Sequence, residues 1–102
     1  MKPPMGIMIV RSNSTKKCLV EATPNLKSRL NSTRFKLNAG GHPNRDLQKE
    51  WQERGEANFT IEILEGLEYD EKDEAKTDYS EDLALLKMIW EERLAEEGLT
   101  FY

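Results

Sequence analysis

Residues 6–22 read Gly6-Ile7-Met8-Ile9-Val10-Arg11, then Ser12-Asn13-Ser14-Thr15-Lys16, then Lys17-Cys18-Leu19-Val20-Glu21-Ala22. The first run is apolar and partly β-branched, with prolines before it and Ser and Asn after it, as in a buried strand. The third run is a second strand of the same kind. The polar stretch between them is short enough for a hairpin loop, so the two strands are predicted to be antiparallel neighbours.

Downstream, Thr23-Pro24 predicts a helix start, with Thr as cap and Pro at the first helical position, where its missing N–H costs nothing. Leu26, Leu30 and Leu37 fall on one face of that helix, and Asn38-Ala39-Gly40-Gly41 ends it. Pro43 predicts a second, shorter helix with Leu47 and Trp51 one turn apart, ending at Gly55. Asn58 to Glu65 alternates with period two. Phe59, Ile61 and Ile63 share one face of a strand, and Thr60 and Glu62 take the other.

Residues 66–78 are acidic with little to bury, which predicts a mobile loop. A last helix is predicted over Tyr79 to Glu97, with Asp78 and Glu81 as a capping pair and Gly98 as the stop. Its inner stripe is Leu83, Leu86, Ile89, Trp90, Arg93 and Leu94. The order β-β-α-α-β-α predicts an α+β fold: a three-stranded antiparallel sheet flanked by three helices, in a single domain over 1–102.

Composition narrows the function classes. With 102 residues and 37% of them hydrophobic, the chain can bury a core without staples. The single Cys18 excludes an internal disulfide and a multi-cysteine zinc site. One thiol also points to a reducing, cytoplasmic setting. No apolar run approaches the ~20 residues of a membrane span, and the first residues lack the apolar core of a signal peptide.

The net charge of −4 hides an asymmetry: residues 1–55 carry eleven Lys and Arg against four acids, and residues 56–102 four against fifteen. A basic half suits an anionic partner such as a nucleic acid; the plain alternative is two solvated faces that offset one another.

Taken in order, these segments resemble the GIY-YIG nuclease superfamily, in its small stand-alone bacterial form. Gly6-Ile7-Met8 sits where the family has Gly-Ile-Tyr, and Leu19-Val20-Glu21 where it has Tyr-Ile-Gly. Asn25-Leu26-Lys27-Ser28-Arg29-Leu30 matches the segment carrying the family's active-site Arg. The most specific piece is His42-Pro43-Asn44-Arg45-Asp46-Leu47-Gln48-Lys49-Glu50-Trp51, followed by Gly55 and Asn58-Phe59.

The resemblance implies a phosphodiester endonuclease chemistry. Two Tyr lie near the scissile phosphate, an Arg stabilises its developing charge, a residue four later (often His) handles a proton, and a Glu on the last helix holds one divalent cation such as magnesium. This sequence departs from that set. Met8 and Leu19 stand at the Tyr positions, Glu21 at the motif's Gly, Thr33 at the His position and Lys87 at the metal-binding Glu position. An ammonium cannot ligate a cation. Arg29 alone remains, so the resemblance implies a catalytically degenerate domain with no metal ligand and no cofactor.

Three readings follow. The first is a degenerate nuclease-like domain that keeps nucleic-acid or phosphate binding, with Lys87 supplying the charge a metal would carry. The second is an active magnesium-dependent DNA endonuclease with a rearranged site. The third is a protein-interaction module acting through the acidic C-terminal half.

For the first reading, Lys27, Arg29, Arg34, Lys36, Arg45, Lys49 and Lys87, with Arg54, are the candidate phosphate-contacting residues; no aromatic is interleaved among them to stack bases. The plain alternatives are scattered surface charge, a solvent-facing Arg29 and an i,i+4 pair of Lys87 with Glu91. His42 suits a turn or capping role, and Cys18, Met8, Leu19, Trp51 and Trp90 suit the core.

Overall fold

A computed structural model describes residues 2–102. Among these, β1 (Met5–Ser12), β2 (Lys17–Thr23), α1 (Leu26–Ala39), α2 (Arg45–Arg54), β3 (Phe59–Leu67), α3 (Ser80–Glu96) and β4 (Thr100–Phe101) follow in order, with a 3₁₀ turn at Glu56–Asn58. The predicted hairpin forms: β1 and β2 pair antiparallel from Gly6–Thr23 to Arg11–Cys18. β3 pairs antiparallel on the other side of β1.

The sheet has four strands, not three, in the order β3-β1-β2-β4, and it is mixed because β4 runs parallel to β2. The extra strand is two residues long, too short for any periodicity. Gly98, with φ of +91°, turns the chain out of α3, and the Thr100 and Tyr102 N–H groups then donate to the carbonyls of Lys16 and Cys18.

Both faces of the sheet are covered. Met8 and Val10 pack with Leu26, Leu37, Leu47, Trp51 and Phe59 beneath α1 and α2. Ile7, Ile9, Cys18 and Val20 pack with Leu94 beneath α3. Gln48 ties α1 to α2: its amide donates to the Leu37 carbonyl at 2.8 Å and accepts from the His42 N–H at 2.9 Å.

The helix starts differ from the sequence reading in a consistent way. α1 is capped by Asn25, whose side chain accepts from the Ser28 N–H, and Thr23 closes a small turn before it. α2 is capped by Asn44 rather than opened by Pro43. Asn is a stronger cap than Thr, and each proline is left in the approach to its helix. At α3, Asp78 accepts from the Ser80 N–H instead of forming a reciprocal box with Glu81.

On α3, Leu83 and Leu94 are buried and Leu86 and Trp90 pack inward, but Ile89 and Arg93 are exposed. The Arg93 guanidinium lies 5.2 Å from the Trp90 ring centre, so it shields the indole from outside. The acidic segment after β3 is exposed apart from half-buried Tyr69 and Lys76, and Gly66 and Leu67 at its start close β3 instead of opening the loop. Tyr69 meets Tyr79 edge-on, the Tyr69 hydroxyl donates to the Pro3 carbonyl, and Tyr79 is buried beside Met5 and Leu83. No helix among the described residues is long and apolar enough to cross a membrane.

Candidate functional site

Met8 on β1 and Glu21 on β2 are direct partners in the ladder. Side chains that share a face in such a pair stand side by side. Met8 is fully buried and Leu19 packs against the same cluster, so the two positions at which the resemblance implies a phenol are filled by core groups with no exchangeable proton. Thr33, one helical turn beyond Arg29, is buried in the α1 face turned to the sheet.

The polar centre of this region is Glu21. Its carboxylate receives Nη1 of Arg29 at 2.6 Å, a short charge-assisted bond. The Nε2 of His42 lies 3.9 Å from the other Glu21 oxygen. His42 is buried, and its Nδ1 accepts from the Asn44 N–H at 3.0 Å. A backbone N–H can only donate, so Nδ1 carries the lone pair and neutral His42 holds its proton on Nε2, facing Glu21. Burial pushes the His42 pKa down, against an opposing pull from Glu21. The turn role expected for His42 is thus present, together with a contact to Glu21 that the sequence did not disclose.

Glu21 and Lys87 line one cleft of about 400 Å³ at the open edge of β2, with Ala22, Pro24, Ser80, Leu83 and Ala84 as its other walls. Lys87 is half-buried and makes no ion pair within 4.0 Å among the described residues, so the expected pairing with Glu91 is not formed. Arg29 thus reaches Glu21 from α1, while Lys87 on α3 borders the cleft that Glu21 also lines.

The donor set does not fit the divalent ion that the resemblance implies. Lys87, a cation that cannot ligate another, stands where the resemblance places the single metal-binding carboxylate.

The remaining basic candidates divide into paired and unpaired. Arg34 lies 3.6 Å from Glu56, Lys49 4.0 Å from Glu53 and Arg54 3.2 Å from Glu50. Lys27, Lys36 and Arg45 make no ion pair within 4.0 Å among the described residues. Against the expectation of no interleaved aromatic, Phe35, between Arg34 and Lys36 on α1, is 73% exposed, so the basic surface carries an aromatic ring. Its neighbours in sequence are charged, and it falls off the Leu26–Leu30–Leu37 stripe, a position that on a helix faces outward. Cys18 is fully buried, and burial raises its pKa, which leaves an inert thiol.

No family model matches the chain, and no curated protein matches it. Among solved structures, it is similar to the catalytic domain of the intron endonuclease I-TevI, solved as a point mutant. The TM-score is 0.72 at 18% identity, over 97% of this chain and 92% of that one. At that identity the likeness establishes the fold: the chain has a GIY-YIG-like fold.

Proposed function

We propose that this chain is a catalytically degenerate nuclease-fold domain that binds nucleic acid without cutting it. The observation that carries this reading is the Glu21–Arg29 ion pair, set among Met8, Leu19, Thr33 and Lys87 where relatives would activate a nucleophile and hold a metal. No side chain there offers a phenol, a carboxylate at the metal position or an unengaged Arg. The mechanism that the resemblance implies uses all three kinds of help, and each tenfold in rate is worth ~1.4 kcal/mol of transition-state stabilisation. Binding is supported by α1, which carries Lys27, Arg29, Arg34 and Lys36 and no acid, with exposed Phe35 among them.

The test is plasmid nicking by the full chain in magnesium or manganese, beside duplex binding at low salt. Binding without nicking is the expected result. Robust cleavage that disappears in Arg29→Ala overturns the reading in favour of a rearranged active site. A second reading, protein contact through α3, is favoured by the exposed Leu85 and Met88 on that acidic helix. It takes precedence if the chain fails to bind any duplex at about 50 mM salt, where phosphate contacts are strong.

A further inference from the structure

Arg29 and His42 converge on one point, and that point is occupied by the chain's own carboxylate. We infer that Arg29 and His42 form a phosphate-binding site that already holds Glu21 as an internal ligand, so that external phosphate binds there only when Glu21 is neutralised or displaced. This rests on the nucleic-acid-binding reading above and adds which group controls the site.

The chemistry of the three groups supports it. Carboxylate and phosphate present the same planar pair of oxygens to a guanidinium fork, so either can occupy Arg29. Glu21 holds Arg29 at 2.6 Å through Nη1, while the Arg29 side chain stays 45% exposed and reachable from solvent. The Nε2–H of His42 faces the same carboxylate but stops at 3.9 Å, too far for a hydrogen bond. A phosphate group has more oxygens and a wider span, and can engage both donors. Lys87 adds a cation to the cleft that Glu21 lines.

Glu21 is fixed on β2 opposite Met8, so it competes as a tethered ligand, whose effective concentration is at least of millimolar order. A phosphodiester in solution at lower concentration does not displace it. The basic surface of α1 and α2 can still bind a backbone loosely, with Arg29 withheld from the contact.

The experiment uses the full chain and a fluorescent DNA duplex of about 12 base pairs, at about 50 mM salt so that phosphate contacts are strong. Four proteins are compared with wild type: Glu21→Gln, Glu21→Ala, the double variant Glu21→Gln/Arg29→Gln, and Glu62→Gln, which removes one exposed carboxylate elsewhere. Thermal melting establishes that each is folded.

Both Glu21 variants are expected to bind at least about tenfold more tightly than wild type, a change of ~1.4 kcal/mol. The double variant returns to the wild-type affinity, and Glu62→Gln stays within about twofold of it, a change well under 1 kcal/mol. With inorganic phosphate as probe, the Arg29 side-chain NMR signal and the His42 ring signals shift in Glu21→Gln and not in wild type. Unchanged affinity in the Glu21 variants overturns the inference. So does a gain that survives loss of Arg29, or an equal gain in Glu62→Gln, which reduces the effect to net charge. Failure of the underlying reading is seen separately, as plasmid nicking by the wild-type protein.

Discussion

His42 ties the site to the stability of the fold. It is the chain's only histidine, buried and neutral, with Nδ1 committed to the Asn44 N–H and Nε2 turned to Glu21. Desolvation dominates and lowers its pKa, although the Glu21 charge works in the other direction. The unfolded chain, with an ordinary histidine value of about 6.5, therefore takes up a proton before the folded chain does. Stability from this group is fully present above about pH 6.5 and is lost as pH falls through the lower folded value, with a limiting slope of ~1.4 kcal/mol per pH unit. Urea unfolding between about pH 7 and pH 5 is expected to show that decline. His42→Asn, which keeps an acceptor near the Nδ1 position, should flatten it. An NMR titration of the lone imidazole that gives a value above the ordinary one removes the premise.

At the scale of elements, the ladder between β1 and β3 depends on a missing side chain. A Cβ on Gly6 would lie 2.1 Å from the Glu65 carbonyl oxygen and 2.8 Å from the Gly66 Cα, and both obstacles are backbone. Gly6→Ala is expected to destabilise the protein by roughly 1–3 kcal/mol in urea unfolding, the usual range for overpacking. A change near zero would mean that β3 can slide away freely. The last strand has a comparable anchor. The Tyr102 hydroxyl donates to the Glu50 carboxylate on α2, and burial, then Glu50, push the Tyr102 pKa well up. Tyr102→Phe keeps the ring and removes that bond, and should cost about 1–2 kcal/mol. An unchanged unfolding midpoint would show that β4 is held by its backbone bonds alone.

These two contacts also mark the limit of what could be read from the chain. The hairpin, both glycine-terminated helices and the Leu26–Leu30–Leu37 face follow from period and punctuation, which are local. In β3 the predicted alternation holds through Ile63, which pairs with Met8 as Ile61 pairs with Val10, and ends there: the register shifts between Ile7 and Met8, so that Ile7 pairs with Glu65. Leu64 is the extra residue of a bulge: it packs beneath α3, while Ile63 is left 52% exposed and Glu65 accepts from the Trp90 indole. No alternation rule predicts a bulge, because the rule reads one strand alone and a bulge exists only in the pairing of two. At the site, Met8, Leu19, Thr33 and Lys87 are singled out only by the resemblance in motif order. The Glu21–Arg29 bond is not legible in the sequence, because it joins a strand to a helix through space.

Over the whole molecule, the sheet separates charge. On one side α1 carries four cations and no acid and α2 three of each, whereas α3 carries Glu81, Asp82, Glu91, Glu92 and Glu96 against Lys87 and Arg93. The −4 net charge therefore says little about what either face attracts. A nucleic acid should approach the α1–α2 side, steered there by the field and kept off α3 by it. Of the cations on that side, Lys27, Lys36 and Arg45 have no acidic partner within 4.0 Å among the described residues. If those three each neutralise one phosphate, log K should fall with log salt at a slope of about −2.7, a loss of roughly fortyfold between about 50 and 200 mM. Lys36→Ala should weaken binding and flatten the slope by about 0.9. With a single strand as probe, Phe35→Ala should weaken binding while leaving the slope unchanged, because a ring contributes stacking on unpaired bases and no counterion release. Leu85→Ser on the opposite face should alter neither quantity. Binding that ignores salt, or that responds to Leu85→Ser as strongly as to Lys36→Ala, would place the contact on the wrong side of the sheet for a phosphate backbone.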